Sequence, residues 1–451
     1  MKSLRNILFG IAALILAICV KVYDIQTAAD TFFLDIIAGV LAAGAVLMFV
    51  LEIIDKVKQN AAERAKMESF NAATLAQADA ISVPSSEELF AAEDAREYAR
   101  AYAENVATAV TEDEFDLYAE VDKKLTFGDA ATELIILARE KGIVLDEATA
   151  KSIFAALSAS NLIVVRDMSD KHFEALIALL GEYFACLTKV DTVDESYRSE
   201  SDVLFTGDGF YNTVPRNVLS ALLAAQREPG KIHLAALAGV DPETMSSYFV
   251  PFARFAHAPK SGYVINCKGG YGEDVSYRVP ENLWFVLNLK KGVPVGSLPD
   301  YVAEIATVNS WSFDMTGNTS ETHSEFRHFG YGQIEYLCDR LRSNFEVDED
   351  TWKKIDRLEA FGARYGEFHI GNKLWLGMEL YMAVLMSQDV AEPAARDEAL
   401  AVKLMPSLIS VLSGKIPRDD RGLGETLDAI FGEDNTALCR KVVKESGTDL
   451  I

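Results

Sequence analysis

The stretch Arg166–Glu174, RDMSDKHFE, holds the residues of this sequence with the clearest capacity for chemistry. It follows an apolar, β-branched run, Asn161–Val165, and leads into an amphipathic helical pattern from about Phe173. A strand, a short turn and a helix in this order form the phosphate-binding loop of many nucleotide-binding proteins. In such loops, glycines let consecutive N–H groups surround the phosphates, a lysine reaches the β/γ oxygens and a hydroxyl group binds Mg²⁺.

This turn has nearly the length of such a loop but the opposite chemistry. It contains no glycine, and it carries the carboxylates of Asp167, Asp170 and Glu174 beside Lys171 and His172. A carboxylate about 4 Å from a phosphate repels it by about 4 kcal/mol at an effective dielectric constant of about 20. One lysine does not offset three such repulsions, so the sequence predicts that the turn does not hold phosphate.

Other candidate sites are weaker. The glycine-rich GGYG, residues 269–272, lies between two short strand patterns and is not followed by a helix, which indicates a hairpin tip. His323 and His328, with Glu321 and Glu325, are the best metal candidates, but histidines five residues apart share a helical face poorly. We expect no metal there. Nucleophile elbows of the G-x-S-x-G kind are absent from the sequence.

Charge and cysteine content exclude further classes. The chain has 451 residues and a formal net charge of −25, which argues against nucleic acid as its main partner. Its 5 cysteines are widely spaced and show no CxxC, so we predict buried, reduced thiols rather than a metal site or a disulfide framework.

Two apolar runs, Asn6–Val20 and Phe32–Ile54, open the chain. The first resembles a signal peptide, but a second hydrophobic span follows it, and we predict an uncleaved transmembrane hairpin over residues 1–55. Lysine and arginine flank its outer ends, so both termini are expected in the cytoplasm. A polar, alanine-rich helical stalk is expected over residues 56–110.

In the rest of the chain, the hydrophobic pattern predicts an α/β domain over residues 111–317 and a helical domain over residues 318–451. In the first, buried strands alternate with helices, which is typical of a parallel sheet covered on both faces. The predicted helices and strands are Phe115–Leu125, Asp129–Lys141, Glu147–Ser158, Asn161–Val165, Phe184–Val193, Asn217–Arg227, Ile232–Leu237, Thr244–Ala256, Tyr263–Cys267, Ser276–Val279 and Leu283–Leu289. In the second domain the predicted helices are Ser324–Phe345, Asp350–Tyr365, Leu374–Ser387, Asp397–Ser413 and Leu423–Phe431.

Five strings in this order resemble the AAA+ ATPases of the MoxR/McrB-like group, a P-loop NTPase-like fold with a helical lid. RDMSDKHFE (Arg166–Glu174) stands where that family has its Walker A loop, and IHLAALAGVDPETMSSYF (Ile232–Phe249) matches the Walker B segment. PENLWFV (Pro280–Val286) matches the strand that leads to sensor 1. LPDYVAEIATV (Leu298–Val308) matches the arginine-finger segment. DEALAVKLMP (Asp397–Pro406) follows the lid pattern with a spacing that differs by one residue.

Position by position, the resemblance implies a degenerate site. The Walker A glycine positions hold Asp167, Asp170 and His172, the lysine position holds Phe173 and the hydroxyl position holds Glu174, which leaves Lys171 as the nearest cation. The Walker B acidic positions hold Ala238 and Gly239, and Asp241 further along is expected to cap a helix. Ile305 stands at the arginine-finger position, and Asn288 remains near sensor 1.

The resemblance therefore predicts a pseudo-ATPase that binds neither ATP nor Mg²⁺. We expect a scaffold, adaptor or regulator at the cytoplasmic face of the cell's inner or plasma membrane, held there by residues 6–54. Its expected partners are proteins, either copies of itself or an active AAA+ paralogue, and not nucleic acid. Two alternatives stay open: a divergent active ATPase that depends on Lys171 or Asp241, and a sensor that binds a cation or a basic peptide at Asp167–Glu174.

Overall fold

The computed structural model describes residues 117, 121–186, 188–206, 214–268, 274–315, 326–327, 329–417 and 420–446. All of them belong to one unit, Glu112–Ile451. The predicted membrane hairpin and stalk lie outside the described residues. Within the described part of the chain, no helix is both long enough and apolar enough to cross a bilayer.

The described strands form one large sheet and three two-stranded ones. In chain order they are β1 (Ile143–Val144), β2 (Leu162–Val165), β3 (Val190–Thr192), β4 (Phe205–Thr206), β5 (Val214–Pro215), β6 (His233–Val240), β7 (Val264–Lys268), β8 (Asp274–Arg278), β9 (Leu283–Leu289), β10 (Thr307–Asn309) and β11 (Asp314–Met315). The large sheet has the order β10-β2-β9-β6-β3, and each neighbouring pair in it is parallel. The predicted α/β fold with a parallel sheet is thus confirmed.

The described helices lie between these strands and after them. In chain order they are α1 (Phe127–Glu140), α2 (Glu147–Ala159), α3 (Asp170–Tyr183), α4 (Glu200–Leu204), α5 (Asn217–Arg227), α6 (Pro242–Met245), α7 (Val250–His257), α8 (Asp300–Ala303), α9 (Tyr331–Asn344), α10 (Glu349–Tyr365), α11 (Asn372–Met386), α12 (Glu392–Ala399), α13 (Met405–Leu412), α14 (Leu423–Phe431) and α15 (Ala437–Glu445). A π-helical turn, Leu400–Leu404, joins α12 to α13.

The central strands are buried on both faces because alternate side chains meet helices on opposite sides of the sheet. On one face, Ile163 and Val165 of β2 belong to a core shared with α2, α3 and the C-terminal helices. On the other, the ring of Phe285 in β9 lies 5.2 Å from that of Phe252 in α7. Continuous apolar runs in β2, β6 and β9 follow from this double burial.

Strand β9 and helices α5 and α14 have the predicted bounds, whereas other elements differ. The single helix predicted over Thr244–Ala256 is wrong: Pro251 lies at the start of α7, and without an N–H it does not continue the turn from α6. The described end of the predicted helix Phe115–Leu125 is also not helical, because the chain there leads into the capping box of Thr126 and Asp129. The predicted strand Phe184–Val193 is reduced to β3, since α3 extends to Tyr183.

The helix predicted over Asp397–Ser413 begins earlier, at Glu392, and contains the π-helical turn. This turn ends two residues before Pro406, which has no N–H to donate to the carbonyl group of Val402. The four described cysteines, Cys186, Cys267, Cys338 and Cys439, are buried, as predicted.

Candidate functional site

The turn Arg166–Glu174 lies where the strand order reverses. The connection that leaves β2 leads to β3 at one edge of the sheet, and the connection that leaves β9 leads to β10, beyond β2 on the other side. In open α/β sheets, ligands bind at such a reversal, outside the carboxyl ends of the strands. The fold therefore places the predicted turn, and Asn288 at the end of β9, where a ligand site would be expected.

Side chains of the turn contact other groups of the same turn. Asp167 adopts the left-handed conformation with φ of 61°, which an aspartate tolerates better than most residues. Ser169 caps α3, and its hydroxyl oxygen accepts a hydrogen bond from the N–H of His172 at 3.3 Å. The same hydroxyl lies 2.6 Å from His172 Nδ1, and the histidine ring packs 5.4 Å from that of Phe313. The N–H of His172, which could otherwise donate to a ligand, is thus bonded within the turn.

Asp170 and Asn288 join the first turn of α3 to the end of β9. Asn288 is fully buried. Its Nδ2 donates to Asp170 Oδ1 at 3.0 Å and to the carbonyl oxygen of Met168 at 3.3 Å. A carboxylate of the chain itself therefore lies at the start of α3, where the positive end of a helix dipole would otherwise attract an anion.

The two positions that the resemblance predicts to contact phosphate and Mg²⁺ point in different directions. Phe173, at the lysine position, is fully buried in the core of the sheet and helices. Glu174, at the hydroxyl position, and Lys171 are exposed. The amphipathic spacing of α3 produces this arrangement, because Phe173 shares the apolar face with Leu176 and Ile177.

Arg166 is the buried cation of the turn, and its charge is already paired. It is 5% exposed, with Nη1 3.4 Å from Asp167 Oδ2 and Nη2 bonded to Glu445 Oε2 at the end of α15. The first turn of α15 is held in turn by Asp397, whose carboxylate accepts from the N–H groups of Leu438 and Cys439 at 2.8 and 3.0 Å. Glu445 was not among the predicted site residues, and its pairing with Arg166, 279 positions away, leaves no signal in the sequence.

The predicted Walker B positions, Ala238 and Gly239, carry no side chain that could bind a metal ion or activate a water molecule. Ala238 is buried in β6, and Gly239, with φ of 70°, lies at an irregularity in the pairing of β6 with β9. Asp241 caps α6 by accepting from the N–H of Glu243 at 3.1 Å, the role expected of it. Lys290 Nζ lies 3.1 Å from Asp241 Oδ2, and this hydrogen bond, followed by that from Glu243, lowers the pKa of the Asp241 carboxyl.

Ile305, which was predicted to stand at an arginine-finger position, contacts a buried lysine of the C-terminal helices through its backbone. Ile305 follows α8, and its carbonyl oxygen accepts from Lys403 Nζ at 2.6 Å, as does that of Ala306 at 3.2 Å. Lys403 lies in the π-helical turn and is 1% exposed. Burial lowers the pKa of its ammonium to about 7. Lys403 lies in the string DEALAVKLMP, and no pattern in the sequence indicated its burial.

Near the carboxyl ends of the parallel strands, the described residues offer few other polar groups that could bind a ligand. The amide of Asn309, at the end of β10, and Oδ1 of Asn288 are buried without hydrogen-bond partners. Among the described residues, no group of three or more His, Cys, Asp or Glu side chains is placed to hold a metal ion. The candidate residues Glu321, His323, Glu325 and His328, and the GGYG tip, lie outside the described residues.

Comparison with protein-family models finds no match for this chain, and comparison with curated proteins finds none either.

Proposed function

We propose that this chain is a membrane-anchored, catalytically inactive AAA+-like protein that acts as a scaffold, adaptor or regulator at the cytoplasmic face. The five-stranded parallel sheet, with a strand, a turn and a helix at its point of reversal, supports a P-loop-like ancestry for the domain. Residues 6–54 would hold it to the membrane, and copies of itself or an active AAA+ paralogue would be its partners.

The contact between Asp170 and Asn288 carries this proposal. It holds a carboxylate at the first turn of α3, 3.0 Å from the amide of Asn288. A phosphate brought to the same place, about 4 Å away, would be repelled by about 4 kcal/mol at an effective dielectric constant of about 20. Phe173 strengthens the argument, because a side chain buried in the core does not reach a phosphate.

We expect Mg·ATP to leave the thermal unfolding temperature of the full chain unchanged within about 1 °C. A ligand present at 100 times its Kd would stabilise the folded state by about 2.7 kcal/mol, which raises Tm by several degrees for a protein of this size. Thermal shift with Mg·ATP, Mg·ADP and Mg²⁺ alone makes the measurement. A rise of about 5 °C with Mg·ATP would refute the inactive site.

The scaffold role is tested by its partners. Affinity purification of the full chain from membranes should recover a defined set of proteins. The control is a chain lacking residues 1–55, which should lose those partners that depend on the membrane. The active-ATPase alternative predicts instead a turnover that is lost on changing Lys171 or Asp241. No contact described above favours it, since Lys171 is exposed and Asp241 is bound to Lys290.

A further inference from the structure

The residues that lead into α1 lie against the first turn of α9, 211 positions further along the chain. We call Leu117 and residues 121–125 the strap. The described residues of the strap form neither helix nor strand, so no backbone ladder holds them in place. Two consecutive residues of α9, Gly332 and Gln333, hold the strap instead.

Gln333 binds the strap through both ends of its amide. The residue is 3% exposed. Its Oε1 accepts from the N–H of Asp122 at 2.9 Å, and its Nε2 donates to the carbonyl oxygen of the same residue at 3.0 Å. A neighbouring β-strand would offer the same pair of bonds, which a single side chain supplies here. Because buried polar groups need hydrogen-bond partners, the strap and Gln333 stabilise one another.

Gly332 allows the backbone of the strap to approach α9 closely. A Cβ atom at this position would lie 2.0 Å from the carbonyl oxygen of Leu117 and 3.6 Å from Cγ2 of Val121. The first of these atoms belongs to the backbone, so rotation of a side chain cannot relieve the overlap. Glycine is the residue that permits such an approach, and any other residue here would displace the strap.

The same turn of α9 is also bound to the loop between α5 and β6. The N–H of Tyr331 donates to the carbonyl oxygen of Gly230 at 2.7 Å, and the Tyr331 ring lies 5.9 Å from that of Trp284 in β9. The loop is held in turn by Asn282, whose Nδ2 donates to the carbonyl oxygen of Lys231 at 3.0 Å. A continuous series of contacts therefore runs from the strap through α9 to the start of β6.

We propose that the strap couples the residues that precede it to α9 and to the loop before β6, so that displacement of the strap loosens both. Coupling between two parts of a protein is reciprocal. A binding event that moves the preceding residues therefore acts on α9 with the same free energy with which α9 holds the strap. The coupling gives the chain a means of responding to what those residues bind, and it does not depend on the inactive nucleotide site.

Amide hydrogen exchange of the purified full chain, followed by mass spectrometry, tests the coupling in two variants. Gln333→Met removes both hydrogen bonds to Asp122, and Gly332→Ala pushes the strap away. In each, we expect exchange to become at least tenfold faster in residues 121–125, and at least fivefold faster in residues 331–338 and in the loop 228–232. Alanine is favoured over glycine in a helix, so the substitution alone would slow exchange in α9, and faster exchange reports the lost strap.

Gly424→Ala is the matched control. Gly424 is the second residue of α14, as Gly332 is of α9, but a Cβ atom there would meet nothing within 4 Å. This variant should exchange no faster than the natural chain in any of the three segments. If Gly332→Ala does not fold, Gln333→Met still permits the same comparison.

Three results would overturn the proposal. The first is faster exchange in residues 121–125 alone, which would make the strap a passive covering of α9. The second is exchange as in the natural chain in both Gln333→Met and Gly332→Ala. The third is an equal increase in α13, which takes no part in these contacts, because that would indicate a general loss of stability.

Discussion

Replacing Phe173 by lysine, the residue that the resemblance to a phosphate-binding loop predicts at this position, is expected to destabilise the protein and to create no nucleotide affinity. Phe173 is fully buried on the apolar face of α3. Loss of a buried phenyl ring costs about 3–5 kcal/mol, and burial of an ammonium without a partner adds to this. We expect the free energy of unfolding to fall by at least about 4 kcal/mol, measured by urea denaturation of the purified chain.

Glu174→Lys is the matched control, because it introduces the same side chain one residue along at an exposed position. It should change stability by about 0.5 kcal/mol or less. If Phe173→Lys does not fold, Phe173→Leu still measures the burial, with an expected loss of about 1–2 kcal/mol. A Phe173→Lys protein that is as stable as Glu174→Lys and binds Mg·ATP would contradict both the packing of α3 and the inactive site.

Lys403 is expected to make stability rise with pH above neutrality. Burial lowers the pKa of its ammonium to about 7 in the folded protein, against a reference value of 10.5. Between these two values the unfolded chain binds the proton and the folded chain does not, so the free energy of unfolding increases as pH rises through this window. Below about pH 7 both states are protonated, and this contribution stops changing. From pH 7 to pH 9 we expect a gain of about 2 kcal/mol from this residue.

The measurement compares unfolding of the natural chain and Lys403→Met from pH 6 to pH 9.5. The difference in free energy between the two proteins should shift in favour of the natural chain by about 2 kcal/mol between pH 7 and pH 9. The exposed Lys373, replaced by methionine, is the control and should give a difference that does not vary over this range. A pH-independent difference for Lys403→Met would show that the buried amine keeps its proton.

The arrangement of the turn follows from the local sequence to a large extent. The apolar run before Arg166 specifies β2, Ser169 supplies the cap, and the spacing of Phe173, Leu176 and Ile177 directs one face of α3 into the core. These are short-range effects of periodicity and capping, and they act wherever the segment is placed. The sequence predicted a helix from about Phe173, whereas the helix begins at Asp170, because a cap sets the start before the apolar face does.

The partners of the turn come from far along the chain. Asn288 reaches Asp170 across 118 positions, and Glu445 reaches Arg166 across 279. Neither α15 nor its contact with Arg166 was predicted, because the first turn of α15 is held by the carboxylate of Asp397, 42 positions earlier. Side chains brought together by sheet order and helix packing leave no periodic signal in the sequence.

The sequence by itself determined the α/β class, the parallel strands and the residue types at the turn, which include three carboxylates and no glycine. Local propensity and burial pattern set these properties, since each depends on residues within a few positions of one another. The tertiary structure alone decided that Asn288 donates to Asp170 and that Arg166 pairs with Glu445. It also decided that Lys403 is buried against the carbonyl groups of Ile305 and Ala306. These contacts depend on how distant segments pack, and packing is a property of the whole folded chain.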